Sequence, residues 1–248
     1  MLPCFYLNGI NWVSGVTTAE PFERIYQRAC ERKGGKAALE ALLGQSAAAQ
    51  DIAAIADNLL LGELTKKVFQ SGFVWRVVRQ KWPGFCEVFF DFDIEKVLLM
   101  SDEMLEAKAR DERIIRNAAK VFTIRHNAMM IDDIARKHGS FARFIADWPT
   151  DDIVGLWAYL KQHGARLGGN TGPYALRAIG KDTFILSDDV EAYLRATHVF
   201  DGGISSKRSL SQIQQQFNLW QQQSGRSLQH ISQIIALSVG ENIVGMAQ

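Results

Sequence analysis

The chain has 248 residues, 47% of them apolar and 22% charged, with a formal net charge of +1 at pH 7. That is enough chain to bury a substantial core, as one large domain or two small ones, and the composition excludes a disordered or fibrous protein. A charge so near neutral excludes a global basic field, so any contact with nucleic acid has to come from local patches.

Cys4, Cys30 and Cys86 are far apart and form no CxxC or Cys–His cluster, so neither a disulfide framework nor a structural zinc site is expected. No apolar run approaches membrane-spanning length, and Met1 is not followed by a basic segment leading into an apolar one. The expectation is a cytoplasmic protein with no membrane contact, nucleoid-associated if the source is bacterial.

Apolar spacing predicts helix nearly everywhere. Pro21 to Arg32 puts Phe22, Ile25, Tyr26 and Ala29 on one face, with Gly34-Gly35 as the stop. Helices are then predicted over Ala37–Leu43, Ala47–Leu61 and Gly62–Lys81, the last ending before Trp82-Pro83-Gly84. A short helix Phe85–Phe90 precedes Asp93, a predicted N-cap for Ile94–Met100, and Ser101 caps the next. Ile114 to His138 reads as one long helix or two, stopped by Gly139. Ser140–Ala146 and Asp151–His163 follow. Beyond them, Thr183–Leu186 is strand-like but too short to found a sheet, and helices close the chain at Val190–Ala196, Ser209–Gln223 and Ser227–Val239. The fold class is all-α.

Between two of these helices lies the most informative segment. Gly164, Gly168, Gly169 and Gly172 fall within nine residues, and Pro173 suits the first turn of the helix that follows. A helix–turn–helix connection needs one glycine; four suggest close approach to another surface. The N–H groups of Gly169, Asn170, Thr171 and Gly172 at this helix N-terminus are candidates to bind a DNA phosphate, fixing position without reading sequence. Downstream stands the carboxylate pair Asp188 and Asp189. That pair either caps the helix Val190–Ala196 or supplies a catalytic acid, and both readings stay open.

The helix–hairpin–helix followed by an acidic residue resembles the core of the helix-hairpin-helix DNA glycosylase superfamily. A second segment points to one branch. Gln70, Gly72 and Trp75, then Phe92, Asp93, Lys96 and Val97, then Ile114, Ile115, Arg116 and Lys120 occur in the order of three elements of the DNA-3-methyladenine glycosylase I family. Gly139–Phe141 follows as Gly-Ser-Phe, and Gly164, Gly169, Thr171 and Tyr174 match the family's hairpin pattern. The likeness covers roughly the middle half of the chain. It departs at Lys67, where the family carries an acidic residue three positions before the glutamine, in the missing N-terminal Tyr-His-Asp signature, and in the absence of a matching set of two Cys and two His zinc ligands.

The resemblance implies a glycosylase fold of two helical subdomains flanking a cleft, with residues 1–62 packing as N-terminal helices on a domain 63–248 whose hairpin spans 164–172. It implies a base pocket of Trp75, Tyr174, Phe73, Gln70 and Lys67. Other branches of the superfamily place an aspartate after the second helix in an apolar context; here Asp188, ahead of Asp189, is nearest that position. An anion there would stabilise an oxocarbenium-like sugar and orient the attacking water. Gly172 stands where strand-nicking branches carry a lysine, so a monofunctional hydrolase is expected.

The implied partner is double-stranded DNA containing a damaged, alkylated base, flipped from the stack, and the protein is expected to act as a monomer. No cofactor and no zinc are expected, though a monovalent cation could sit at the hairpin. Lys67 would disfavour a cationic alkylated purine by like-charge repulsion, so a neutral lesion is predicted. The alternative function is a catalytically silent DNA-binding protein that keeps the fold and the phosphate clamp.

Overall fold

The computed structural model describes residues 20–240, and among these all regular structure is helical. Short helices α1 (Phe22–Lys33), α2 (Lys36–Glu40) and α3 (Ala49–Ala53) lead into α4 (Asp57–Gln70) and α5 (Trp75–Val88). Then come α6 (Ile94–Leu98), α7 (Asp102–Lys108), the long α8 (Ala118–His138), α9 (Phe141–Asp147) and α10 (Ile153–His163). The chain closes with α11 (Thr171–Ala178), α12 (Asp188–Ala196), α13 (Lys207–Ser224) and α14 (Leu228–Ser238). The fold is all-α and contains the expected helix–hairpin–helix, formed by α10 and α11.

Capping side chains set many of the boundaries. Asp93 accepts from Lys96 N at 3.0 Å and Ser101 from Met104 N at 3.3 Å, as predicted. Asn117 accepts from Lys120 N at 3.1 Å and Ser140 from Arg143 N at 3.0 Å. Each such cap contributes about 1 kcal/mol. Because Asn117 caps α8, residues Ile114 to Arg116 are not part of it, and the helix starts four residues later than its apolar pattern implies.

Three further boundaries differ from the sequence reading. The predicted helix Gly62–Lys81 is really parts of two: α4 runs through Gly62 to Gln70, the chain turns at Gly72 (φ +69°), and α5 carries Pro83 inside it. The division placed at residue 62 therefore falls within a continuous helix. Ala47–Leu61 likewise divides, with α3 ending at Ala53 and α4 starting at Asp57. At the third, Ser187, and neither aspartate, caps α12: its Oγ accepts from Val190 N at 3.4 Å, leaving Asp188 and Asp189 in the first turn, where their charge suits the helix dipole.

α4 is the central strut, packing on α5, α8 and α11, while α1 lies across α14 and α12 and α13 complete that side. One apolar cluster runs through both groups of helices. Phe184 stacks on Phe217 at 4.1 Å, and Trp220 is fully buried beside it. On the α5 side Trp82 stacks on Phe92 at 5.3 Å and on Phe85 at 5.5 Å. That stack explains a strained turn, since Phe90, Asp91 and Phe92 all have φ between 51° and 59°. A left-handed residue costs roughly 1–2 kcal/mol; burying Phe92 against Trp82 and Phe89 offsets it.

Helix ends are also tied together at long range. The Asp57 carboxylate accepts from Phe141 N and Ala142 N at 3.0 and 3.1 Å, and the Asp182 carboxylate accepts from Leu228 N and Gln229 N at 3.0 and 2.9 Å. Lys181 donates to Ala146 O and Trp148 O at the end of α9. No helix among the described residues is long and apolar enough to cross a membrane.

Candidate active site

The turn between α4 and α5 presents an apolar tip. Phe73 is 46% exposed and Trp75 44% exposed. Lys120, buried in α8, anchors this turn by donating from Nζ to Phe69 O at 3.2 Å and to Ser71 O at 2.7 Å. Desolvation lowers the Lys120 pKa, and the nearby Arg166 guanidinium adds to the effect.

Trp75 meets Tyr174 of α11 edge-on, ring centres 6.0 Å apart. Lys67 lies over the indole, its Nζ 5.7 Å from the ring centre, so α4, α5 and α11 together frame an aromatic corner with an ammonium in it. Lys67 is held by Glu63, one helical turn back, at 3.2 Å. Glu63 was not among the sequence candidates; its i, i+4 spacing to Lys67 is the signal that points to it. Gln70 of the same helix is 5% exposed, and its Oε1 finds no donor among the described residues. Of the five proposed pocket residues, Trp75, Tyr174 and Lys67 meet at this corner, Gln70 is buried three residues along α4 from Lys67, and Phe73 projects from the tip of the turn.

The hairpin is clasped from below. Asn127 of α8, fully buried, accepts from Ala165 N at 2.7 Å and donates to Ala165 O at 3.3 Å. A side chain at Gly164 would stand 2.5 Å from Leu167 Cδ1 and 2.8 Å from Leu160 O, and one at Gly172 would stand 2.7 Å from Leu167 O, so glycine is sterically required at both. Of the four N–H groups considered for phosphate, Thr171 N donates to Gly168 O at 3.3 Å and Gly172 N to Leu167 O at 3.1 Å. The N–H groups of Gly169 (φ +59°) and Asn170 (φ −82°) make no bond among the described residues and lie on an exposed rim. Consecutive left- and right-handed residues of this kind form a concave anion site. A monovalent cation at the hairpin would draw on its carbonyls, of which those of Leu167 and Gly168 already accept one N–H each.

Asn170 Nδ2 donates to Leu186 O at 2.8 Å, tying the hairpin to the segment before α12. There a cleft of about 480 Å³ is lined by Gly168, Gly169 and Asn170 together with Asp188, Lys161 and Lys207. Asp188 is exposed in it, and Trp75 and Tyr174 are not among its lining residues. Asp189 is half-buried and faces Gly240, where an added Cβ would stand 2.5 Å from its Oδ1. Asn170, the N-cap residue of α11 that lines this cleft, is one turn from Tyr174.

Two arginines of this region differ in kind. Arg116 is exposed and only 4.0 Å from Glu112. Arg177 instead is buried, donating to Thr183 O and Ser232 Oγ at 2.7 Å each, and burial pulls its pKa down to about 10. Arg177 and Lys120 therefore bind the fold together rather than face a ligand. Among the described residues no three His, Cys, Asp or Glu converge as metal ligands; Cys4 lies outside those residues.

The sequence model of the methyladenine glycosylase family matches residues 52–174, about half of the chain. That span includes the aromatic corner and the hairpin and stops before Asp188. Among solved structures, the 3-methyladenine DNA glycosylase I from Staphylococcus aureus is 22% identical, covering 66% of this chain and 87% of that one, with a TM-score of 0.47. The Methanocaldococcus jannaschii 8-oxoguanine glycosylase/lyase, solved with DNA containing 8-oxoguanine, is 14% identical, covering 86% and 95%, with a TM-score of 0.49. Both are too distant to argue from. On the family match, and with the hairpin between α10 and α11, the chain is a 3-methyladenine DNA glycosylase I-like protein of the helix-hairpin-helix DNA glycosylase superfamily.

Proposed function

We propose that this glycosylase is a monofunctional hydrolase that removes a damaged base from duplex DNA. The observation that carries this reading is the spacing on α11: the unbonded N–H groups of Gly169 and Asn170 lie one turn, about 6 Å along the helix axis, from Tyr174 and its partner Trp75. That spacing suits one nucleotide, its phosphate on the hairpin and its base turned out against the rings.

In the reaction water adds at the sugar C1′ while the bond from C1′ to the base nitrogen breaks; the bonding pair leaves with the base, which takes up the proton that the water loses, by way of the carboxylate that receives it or of solvent. The positive charge that builds on the sugar needs an anion nearby. Asp188, in the cleft that shares Gly169 and Asn170 with the phosphate clamp, is placed to orient that water and take its proton. Asp189, turned toward Gly240, is less well placed. Gly172 stands where a Schiff-base lysine would follow the hairpin, and Lys181 further on is buried on the carbonyls of Ala146 and Trp148, so the sugar–phosphate backbone stays intact.

The test is base release from duplexes carrying alkylated, deaminated and oxidised bases, by wild type, Asp188→Asn and Asp189→Asn. Loss of release in Asp188→Asn, at least about a hundredfold and with DNA affinity kept, supports the assignment. Release that survives both substitutions puts the acid elsewhere. Binding without release of any base leaves a silent reader of DNA.

A further inference from the structure

The corner between Trp75 and Tyr174 already holds a cation. Lys67 Nζ stands 5.7 Å from the centre of the Trp75 ring, and its side chain is only 15% exposed. Glu63 does not neutralise the corner, because it is shared: one carboxylate oxygen lies 3.2 Å from Lys67 and the other 3.0 Å from Lys66. Two ammonium groups against one carboxylate leave a net positive charge.

The attraction that an indole face offers to a cationic base is therefore already satisfied by the protein's own side chain, and a second cation would meet like charge in a partly desolvated place. An ammonium donates three N–H bonds and accepts none, so the base atom suited to Lys67 is an acceptor. Gln70 lies three residues along the same helix, a spacing that puts two side chains on one face. It is 5% exposed, and its buried Oε1 has no donor among the described residues, so an N–H on a base that reaches it supplies the missing partner.

We infer that the base taken by this corner is neutral and presents a carbonyl oxygen beside a ring N–H, the edge that replaces an amino group when a base is deaminated, and that Lys67 sets this preference. The inference rests on the glycosylase reading above and narrows its substrate class away from cationic N-alkylated purines.

Single-turnover base release is compared on otherwise identical duplexes carrying hypoxanthine, uracil, 7-methylguanine or 3-methyladenine, with wild type, Lys67→Gln and Lys67→Glu. The expected result is that wild type releases hypoxanthine or uracil about tenfold or more faster than either cationic base, the scale of a like-charge contact in a partly desolvated pocket. Lys67→Gln narrows that ratio and Lys67→Glu reverses it. Lys67→Gln, which removes the charge and leaves a polar side chain one atom shorter, decides the matter if two adjacent carboxylates prevent Lys67→Glu from folding. Faster release of 3-methyladenine by wild type, or a preference unmoved by loss of the Lys67 charge, overturns the inference and leaves the glycosylase standing. Release of no base by any of the three proteins removes the glycosylase reading and this inference with it.

Discussion

Lys120 and Lys181 are a matched pair of buried lysines, and replacing each with methionine separates what such a group does for stability from what it does for the site. They are 8% and 5% exposed, and each spans two carbonyl oxygens near a helix end: Phe69 and Ser71 for Lys120, Ala146 and Trp148 for Lys181. Burial lowers the pKa of both. A hydrogen bond to a charged group contributes roughly 1.5–3 kcal/mol, so two give about 3–6 kcal/mol, from which desolvation of the ammonium subtracts. Methionine refills the volume but leaves the carbonyls bare, so each variant is expected to lose about 2–4 kcal/mol. At roughly 2–4 °C per kcal/mol for a chain of this size, Tm falls by roughly 4–16 °C. Urea unfolding followed by tryptophan fluorescence should show a lower midpoint at constant slope. The two variants part in function. Base release per folded molecule falls about tenfold for Lys120→Met, because the turn carrying Phe73 and Trp75 loses its anchor, and is unchanged for Lys181→Met, at the far end of α11 from the hairpin. Equal stability of Lys120→Met and wild type would refute the energetics. Equal loss of release by both variants would refute the anchoring role.

Two other expectations follow from single contacts. Arg226 and then Tyr26 hydrogen-bond the Glu40 carboxyl and hold its pKa down to about 2, from 4.5. A depressed carboxylate stabilises the fold above pH 4.5, and that stabilisation is lost as pH falls from 4.5 toward 2. The full shift corresponds to about 3.4 kcal/mol, cut to roughly 1 kcal/mol because the Glu40 side chain is 36% exposed. Glu40→Gln should therefore flatten the fall in urea midpoint between pH 5 and pH 3; an unchanged slope contradicts it. In the hairpin, Gly172→Ala sets a Cβ 2.7 Å from Leu167 O and must open the turn. Fluorescence anisotropy should show duplex affinity down by about tenfold with helicity retained, while Gly203→Ala, where a Cβ meets nothing within 4 Å, leaves affinity as it was.

How far the sequence could be read depended on what each glycine and proline was taken to mean. Where polar caps are local, the reading was right: Asp93 and Ser101 cap the helices assigned to them. Gly62 and the Pro83-Gly84 pair were read as boundaries and are helix interior. A Cβ at Gly62 would stand 3.2 Å from the Phe92 ring, and one at Gly84 would stand 2.3 Å from Arg113 O, so both are places where another segment passes close to a helix. The break that does occur, at Gly72, was masked by apolar residues continuing at helical spacing on either side. A glycine that ends a helix and one that admits a neighbour look alike in sequence; only the tertiary partner, 29 or 30 residues away in these cases, distinguishes them.

The site divides along the same line between local and distant. Motif offsets located Trp75, Tyr174 and the hairpin, because those offsets lie along one helix or one turn. They also singled out Lys67, yet missed Glu63, since position 67 was compared with a family pattern and not with its own helix face, where i, i+4 pairing makes Glu63 its neighbour. Asn127, which clasps the hairpin from 38 residues away, carries no local signal at all. The phosphate clamp illustrates the limit further. Glycine content identifies a tight hairpin, but closing that hairpin uses the N–H groups of Thr171 and Gly172 on the carbonyls of Gly168 and Leu167. A tight turn satisfies its downstream donors internally, so those left to face an anion are upstream, on Gly169 and Asn170. The proposed clamp is accordingly two groups wide, and one of them, Asn170, both lines the cleft that holds Asp188 and bonds the backbone two residues before that aspartate.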